Sequence, residues 1–148
     1  MRIAAVGDIH IGEDDDGRLA DAFGRLHEHA DVLLLAGDLT KCGTPGEAAN
    51  VARELEAVSV PVVAVLGNHD YHSGQAAEVA SVLADIGVCV LEGDSTVLDL
   101  DTGRLGVAGV KGFGGGFAGA HATAFGEPEM KAFVEHTHLI SEHLAGAL

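Results

Sequence analysis

Basic side chains are scarce in this chain. Its 148 residues carry 8 Lys and Arg against 23 Asp and Glu, a formal net charge of −15. That imbalance weighs against a broad basic surface for nucleic acid or anionic lipid. It leaves room for a phosphorylated substrate, because bound divalent cations reverse the field around them. Cysteine is scarce as well. Cys42 and Cys89 form no CxxC or zinc-type spacing, and both read as reduced, mostly buried thiols of a cytosolic protein. No apolar run approaches the roughly 18 residues that a membrane span requires. The start, Met1-Arg2-Ile3-Ala4-Ala5-Val6, meets a polar motif too soon for the apolar region and cleavage site of a signal peptide. Internal repeats and linkers rich in Pro, Ser or charge are missing too. The length suits a single domain over residues 1–148, since domains run on the order of 100–200 residues and such a chain can bury a core.

What is present is an alternation of short apolar runs with helix-period segments. Ile3–Val6, Val32–Ala36 and Pro61–Leu66 are continuously apolar and bounded by turn residues, as strands covered on both faces are. Between them, Leu19, Ala22, Phe23, Leu26 and Ala30 share one helical face. Thr44-Pro45-Gly46-Glu47 reads as a capping box with proline at the first helical position, followed by the stripe Ala48, Val51, Ala52, Leu55 and Val58. A third helix carries Val79, Val82, Leu83 and Ile86, with Gly87 where a left-handed C-terminal residue is wanted. Then the rhythm changes. Val88–Leu91, Thr96–Leu100 and Leu105–Val110 read as strands, the last two joined by a tight turn at Asp101-Thr102-Gly103. A Gly-rich connector, Gly112–Gly119, precedes a helix that Pro128 opens, with Met130, Phe133, Val134, Thr137, Ile140 and Leu144 along one side. The order predicts an α/β fold, a parallel-to-mixed sheet with flanking helices and right-handed crossovers in its first part.

Three polar clusters follow the first three strands: Asp8-Ile9-His10, Gly37-Asp38 and Gly67-Asn68-His69-Asp70. Open α/β sheets bind ligands beyond the carboxyl ends of their strands, so the three can converge. If the chain stays extended past Val6, Asp8 and His10 point to one side. Asp38 offers two oxygens and can bridge two ions; Asn68 offers an amide oxygen. Such a mixed O/N set suits Mn, Fe or Zn rather than a metal that prefers thiolates. Gly7, Gly37 and Gly67 stand beside these residues, where backbone must turn sharply. Each cluster alone would be a helix or turn cap.

Together, D-x-H, G-D and G-N-H-D in this order resemble the calcineurin-like metallophosphoesterase superfamily. By motif the resemblance covers about Met1 to Asp70; Leu105–Gly119 is similar to bacterial members, less specifically. The resemblance implies part of that family's αββα sandwich, a phosphate-ester substrate and two divalent ions. It implies that Asp8 and His10 are terminal ligands of the first ion, that Asp38 bridges both, and that Asn68 holds the second. His69 is then the catalytic histidine that contacts the phosphoryl oxygen or protonates the leaving group, and Asp70 its orienter. Paired ions would clamp the phosphate and make water a nucleophile for in-line attack.

The family pattern continues with a further histidine and a late G-H-x-H motif, and no G-H pair occurs in this chain. The domain is therefore expected to be short of that motif on its C-terminal side, and the chain to hold one ion more tightly than a second. Glu135-His136-Thr137-His138 has the H-x-H spacing, but on a helix residues two apart diverge by about 200°. It reads as a solvated helix face, as do His27 and His29. His72 reads as loop surface and His121 as part of a loop without family-like neighbours. The run Glu13-Asp14-Asp15-Asp16 reads as a solvated loop. Three readings of function stand side by side: a phosphoric ester hydrolase with a dinuclear site, a non-catalytic module that binds one ion, and an assembly module. In the last, a homo-oligomer or a second chain covers an apolar sheet face and completes the site.

Overall fold

The computed structural model describes residues 1–148. Four strands, β1 (Ile3–Val6), β2 (Val32–Ala36), β3 (Val62–Val65) and β4 (Cys89–Val90), form one sheet in the order β1-β2-β3-β4. All three pairings are parallel, with Ile3 beside Val32, Leu33 beside Val62 and Val63 beside Cys89. A sheet that grows in one direction through right-handed crossovers places every connecting helix on the same face. Helices α1 (Ala20–Gly24), α2 (Pro45–Leu55) and α3 (Ala76–Asp85) fill the crossovers. Their apolar stripes meet Leu33, Leu35 and Ala64 in a core that includes Ile9, Ile11, Phe23, Leu39, Val51, Val79 and Leu83.

Local chemistry sets the ends of these helices. Thr44 Oγ1 accepts from the Glu47 N–H at 3.2 Å while Glu47 Oε2 accepts from the N–H groups of Thr44 (3.3 Å) and Cys42 (2.7 Å). Such a cap is worth about 1 kcal/mol. Gly87, at φ 87°, ends α3 in the left-handed conformation. The first helix is shorter than its apolar periodicity predicts: α1 stops at Gly24 and a 3₁₀ turn, Leu26–Glu28, replaces the rest. No side chain caps α1 from within. Glu54, buried in α2, accepts instead from the N–H groups of Arg18 and Leu19 at 2.8 and 2.7 Å.

The other face of the sheet is covered differently. Strands β5 (Asp94–Leu100) and β6 (Gly103–Gly109) form a separate antiparallel hairpin, turning at Asp101-Thr102. The sheet itself is parallel throughout and the mixed part of the expectation resides in this hairpin. A Cβ on Gly109 would approach Val65 to 2.7 Å, so the end of β6 packs directly on β3. Helix α4 (Pro128–Ala147) lies against β5 and β6 and buries none of its residues fully. Over β1 and β2 this face stays open, with Ile3 51% exposed and Ala5 and Ala36 exposed. Inside the Gly-rich connector, β7 (Gly116–Phe117) and β8 (Ala120–His121) form a small hairpin. Cys42 is exposed rather than buried, because it lies in the loop just ahead of the α2 cap; Cys89 is half-buried, and both are free. No helix is long and apolar enough to cross a membrane.

Candidate metal centre

The backbone leaves β1 and β2 in an unusual way. Asp8, His10 and Asp38 have φ of 54°, 44° and 51°, and they are the chain's only non-glycine residues in the left-handed region. Asp and His tolerate that region better than most residues, yet it remains sparsely populated and collects at functional sites. The two loops hold each other in it. Asp8 N–H donates to Gly37 O (3.0 Å), His10 N–H to Asp38 O (3.0 Å) and Ile11 N–H to Leu39 O (2.9 Å), and Lys41 N–H returns to Ile11 O (3.0 Å). The chain past Val6 is therefore not extended as the sequence suggests. Asp8 and His10 still lie on one side, with Asp8 Oδ1 3.8 Å from His10 Nε2, while Ile9 between them is buried.

His10, Asp38 and His69 each present a ligand atom within 4.8 Å of the others. The two imidazoles meet edge to face, with ring centres 4.3 Å apart at 78°. Asp38 Oδ1 accepts from the backbone N–H of His69 at 2.9 Å, which ties the end of β2 to the end of β3. His69 Nδ1 lies 2.8 Å from the carbonyl of Lys41. A carbonyl can only accept, so Nδ1 carries the proton and Nε2 is left free for a ligand. Two imidazole nitrogens and a carboxylate are a donor set that fits a divalent ion such as Mn, Fe or Zn.

The remaining predicted residues sit around this trio. Asp8 is at the rim, its side chain 81% exposed. Asn68 is exposed at the start of a 3₁₀ turn, His69–Tyr71, which its side chain does not cap. Asp70 is wholly buried, and its carboxylate makes no hydrogen bond to the His69 ring. Its carboxylate accepts from Leu39 N (3.2 Å), Thr40 N (2.7 Å), Thr40 Oγ1 (2.6 Å) and Gly67 N (2.8 Å). Asp70 thus orients the two loops that carry Asp38 and His69, and the Lys41 carbonyl takes the place at the imidazole that the resemblance gives to Asp70. Thr40 and Lys41 lie outside the three polar clusters of the sequence. Thr40 leaves a faint signal as a polar residue directly after Gly37-Asp38-Leu39, whereas a backbone carbonyl leaves none. The other histidines lie outside this group: His27, His29, His72, His121, His136, His138 and His143 are all exposed.

Residues 1–136 match the family described as Metallophos, calcineurin-like phosphoesterase. A protein of Synechococcus sp. named "Probable cyclic nucleotide phosphodiesterase" is 32% identical over an alignment 80 residues long that covers 47% of this chain and 31% of that protein. The aligned part thus spans about a third of the length of the curated relative it matches.

Proposed function

This chain belongs to the calcineurin-like phosphoesterase family, and from that membership we propose that it serves a metal-dependent phosphoric ester hydrolase with a dinuclear centre. The observation that carries this reading is the convergence of His10, Asp38 and His69 within 4.8 Å at the carboxyl ends of neighbouring parallel strands. Asp8, His10 and Asp38 would hold the first ion, and Asp38 with Asn68 would offer ligands to the second. Bound there, such ions supply Lewis-acid polarisation of the phosphoryl group and make water a better nucleophile. Asp38, whose carboxylate has two oxygens, would serve both ions. His69, with its Nδ1 proton committed to the Lys41 carbonyl, keeps Nε2 free to act at the cluster it shares with His10 and Asp38. From there it can contact a phosphoryl oxygen or pass a proton to the leaving oxygen. Asp70 positions both loops.

The ligand inventory is uneven. The first position has two protein donors of its own, Asp8 and His10, and a share of Asp38; the second has only Asn68 and its share of Asp38, and no G-H-x-H motif supplies more within residues 1–148. We therefore read these residues as one calcineurin-like domain that holds a single divalent ion tightly and turns over phosphate mono- or diesters weakly. Metal analysis after equilibration with Mn and desalting tests this: about one tight equivalent is expected in the parent and none in Asp38→Ala. Two tight equivalents would overturn the uneven site.

The open sheet face favours a second reading. Ile3, Ala5 and Ala36 leave an apolar strip beside the free edge of β1, and an assembly in which a second copy or another chain covers it would bring further ligands towards the centre. Sedimentation with and without Mn tests this. A strict monomer, also in Ile3→Asp, argues against self-association.

A further inference from the structure

We propose that the cavity between Tyr71 and helix α4 is a binding subsite for a phosphoryl group, with Lys111 as the residue that reads its charge. Taken with the phosphoesterase reading, on which this last step rests, the subsite would favour esters that carry a second phosphoryl group beyond the one being cleaved. The cavity measures about 290 Å³, and its lining includes Tyr71, Glu92, Lys111, His136, Ile140 and His143. Tyr71 closes the 3₁₀ turn that begins at His69, so one wall of the cavity continues from the candidate metal centre.

Lys111 is the observation that points to an anion. It is one of only 8 basic residues in a chain of net charge −15, yet it belongs to none of the chain's ion pairs. Its Nζ donates only to the neighbouring carbonyl of Gly112, at 3.0 Å. It is half-buried, 5.2 Å from the centre of the Tyr71 ring and 5.3 Å from that of Phe113. Two aromatic faces thus hold an ammonium at the cavity without neutralising it. Glu92 lines the same space, but its Oε2 accepts from the Tyr71 hydroxyl at 3.2 Å. From α4, His136 is braced edge-on against Phe113, with ring centres 4.5 Å apart. His143 packs where a Cβ on Gly93 would come within 3.2 Å of it. One ammonium and two imidazoles supply several donors around one space, which suits the three terminal oxygens of a phosphoryl group better than the two of a carboxylate.

The chain contains a single tyrosine and no tryptophan, so tyrosine fluorescence comes from Tyr71 alone, a residue that lines this cavity. The experiment titrates the full chain, in chelator, with inorganic phosphate and in parallel with acetate at matched ionic strength. Phosphate should change Tyr71 emission saturably and acetate should not. Lys111→Gln should weaken the phosphate response about tenfold or more, and Lys111→Arg should keep most of it. Glu92→Gln, which removes the opposing carboxylate, should strengthen it. A flat phosphate titration, an equal response to acetate, or a phosphate response that survives Lys111→Gln would overturn the subsite. Neither metal nor turnover enters this titration, so its outcome is separate from that of the hydrolase reading.

Discussion

No side chain can stand on Gly67 without entering Asp38. A Cβ there would lie 2.7 Å from Asp38 Cγ and closer still to its Oδ1 and backbone nitrogen. The glycine after β3 is therefore the space in which the carboxylate after β2 sits. Gly67→Ala should push Asp38 away from His10 and His69. The expected cost is about 1–3 kcal/mol or more of stability, since the clash involves backbone. The expected loss of metal affinity is about 10–100-fold, as for other changes that disturb how a ligand is held. A calorimetric Mn titration beside a urea melt checks both. Unchanged affinity in a folded variant would mean that Asp38 is not a ligand.

Asp70 makes the complementary prediction. Its two oxygens take four donors from Leu39, Thr40 and Gly67 while it is wholly buried. Asp70→Asn keeps the shape but turns an amide NH₂ towards backbone N–H groups. Leaving buried donors unpaired should cost on the order of 3 kcal/mol. Because the clamp joins the loops bearing Asp38 and His69, metal affinity should fall with stability. A loss below about 1 kcal/mol in urea denaturation would show that the clamp is not needed.

How much of this was legible depended on whether the cause was local. The three strand-end clusters could be read because each combines polar residues with an adjoining glycine at a fixed place in the α/β rhythm. The capping box at Thr44 and Glu47 and the stop at Gly87 are likewise written in a few consecutive residues. The left-handed backbone at Asp8, His10 and Asp38 is not, because it depends on hydrogen bonds between the loops after β1 and β2. The same holds for Glu54 capping the start of α1 from another helix, and for the Lys41 carbonyl at His69. The shortened α1 shows the limit of periodicity: its apolar face continues past Gly24, but the helix does not.

A pH prediction comes from the opposite end of the sheet. Asp31 accepts from the Arg2 backbone N–H at 2.8 Å and from its guanidinium at 3.0 Å, with the N-terminal ammonium 3.7 Å away. These contacts, the backbone bond first, outweigh slight desolvation and hold its carboxyl below the ordinary value. A folded-state value lowered in this way stabilises in full above the unfolded value of about 4 and is lost as pH falls through the folded one. Asp31→Asn should therefore be less stable than the parent above about pH 5, with the difference shrinking as the parent is acidified below about pH 4. Urea midpoints across that range are the readout. A difference independent of pH would assign the effect to shape rather than charge.

The last prediction separates the two roles open to His69. Its Nε2 is free, and it belongs to the same 4.8 Å group as His10 and Asp38, so it could be a ligand or could act on the substrate. If it acts on the substrate, His69→Ala should keep the single tight Mn equivalent while turnover of an aryl phosphate ester falls about 10²–10⁴-fold, the usual worth of a positioned proton donor. Parent turnover should itself lie below the range of ordinary enzymes, about 1–1000 per second, because the second ion has so few ligands within residues 1–148. It should depend on added Mn. Loss of the tight equivalent in His69→Ala would make the residue a ligand instead. Turnover equal to the parent's, with metal retained, would remove it from the chemistry. Robust turnover by the 148-residue chain would show that Asp8, His10, Asp38 and Asn68 complete the centre without further histidines.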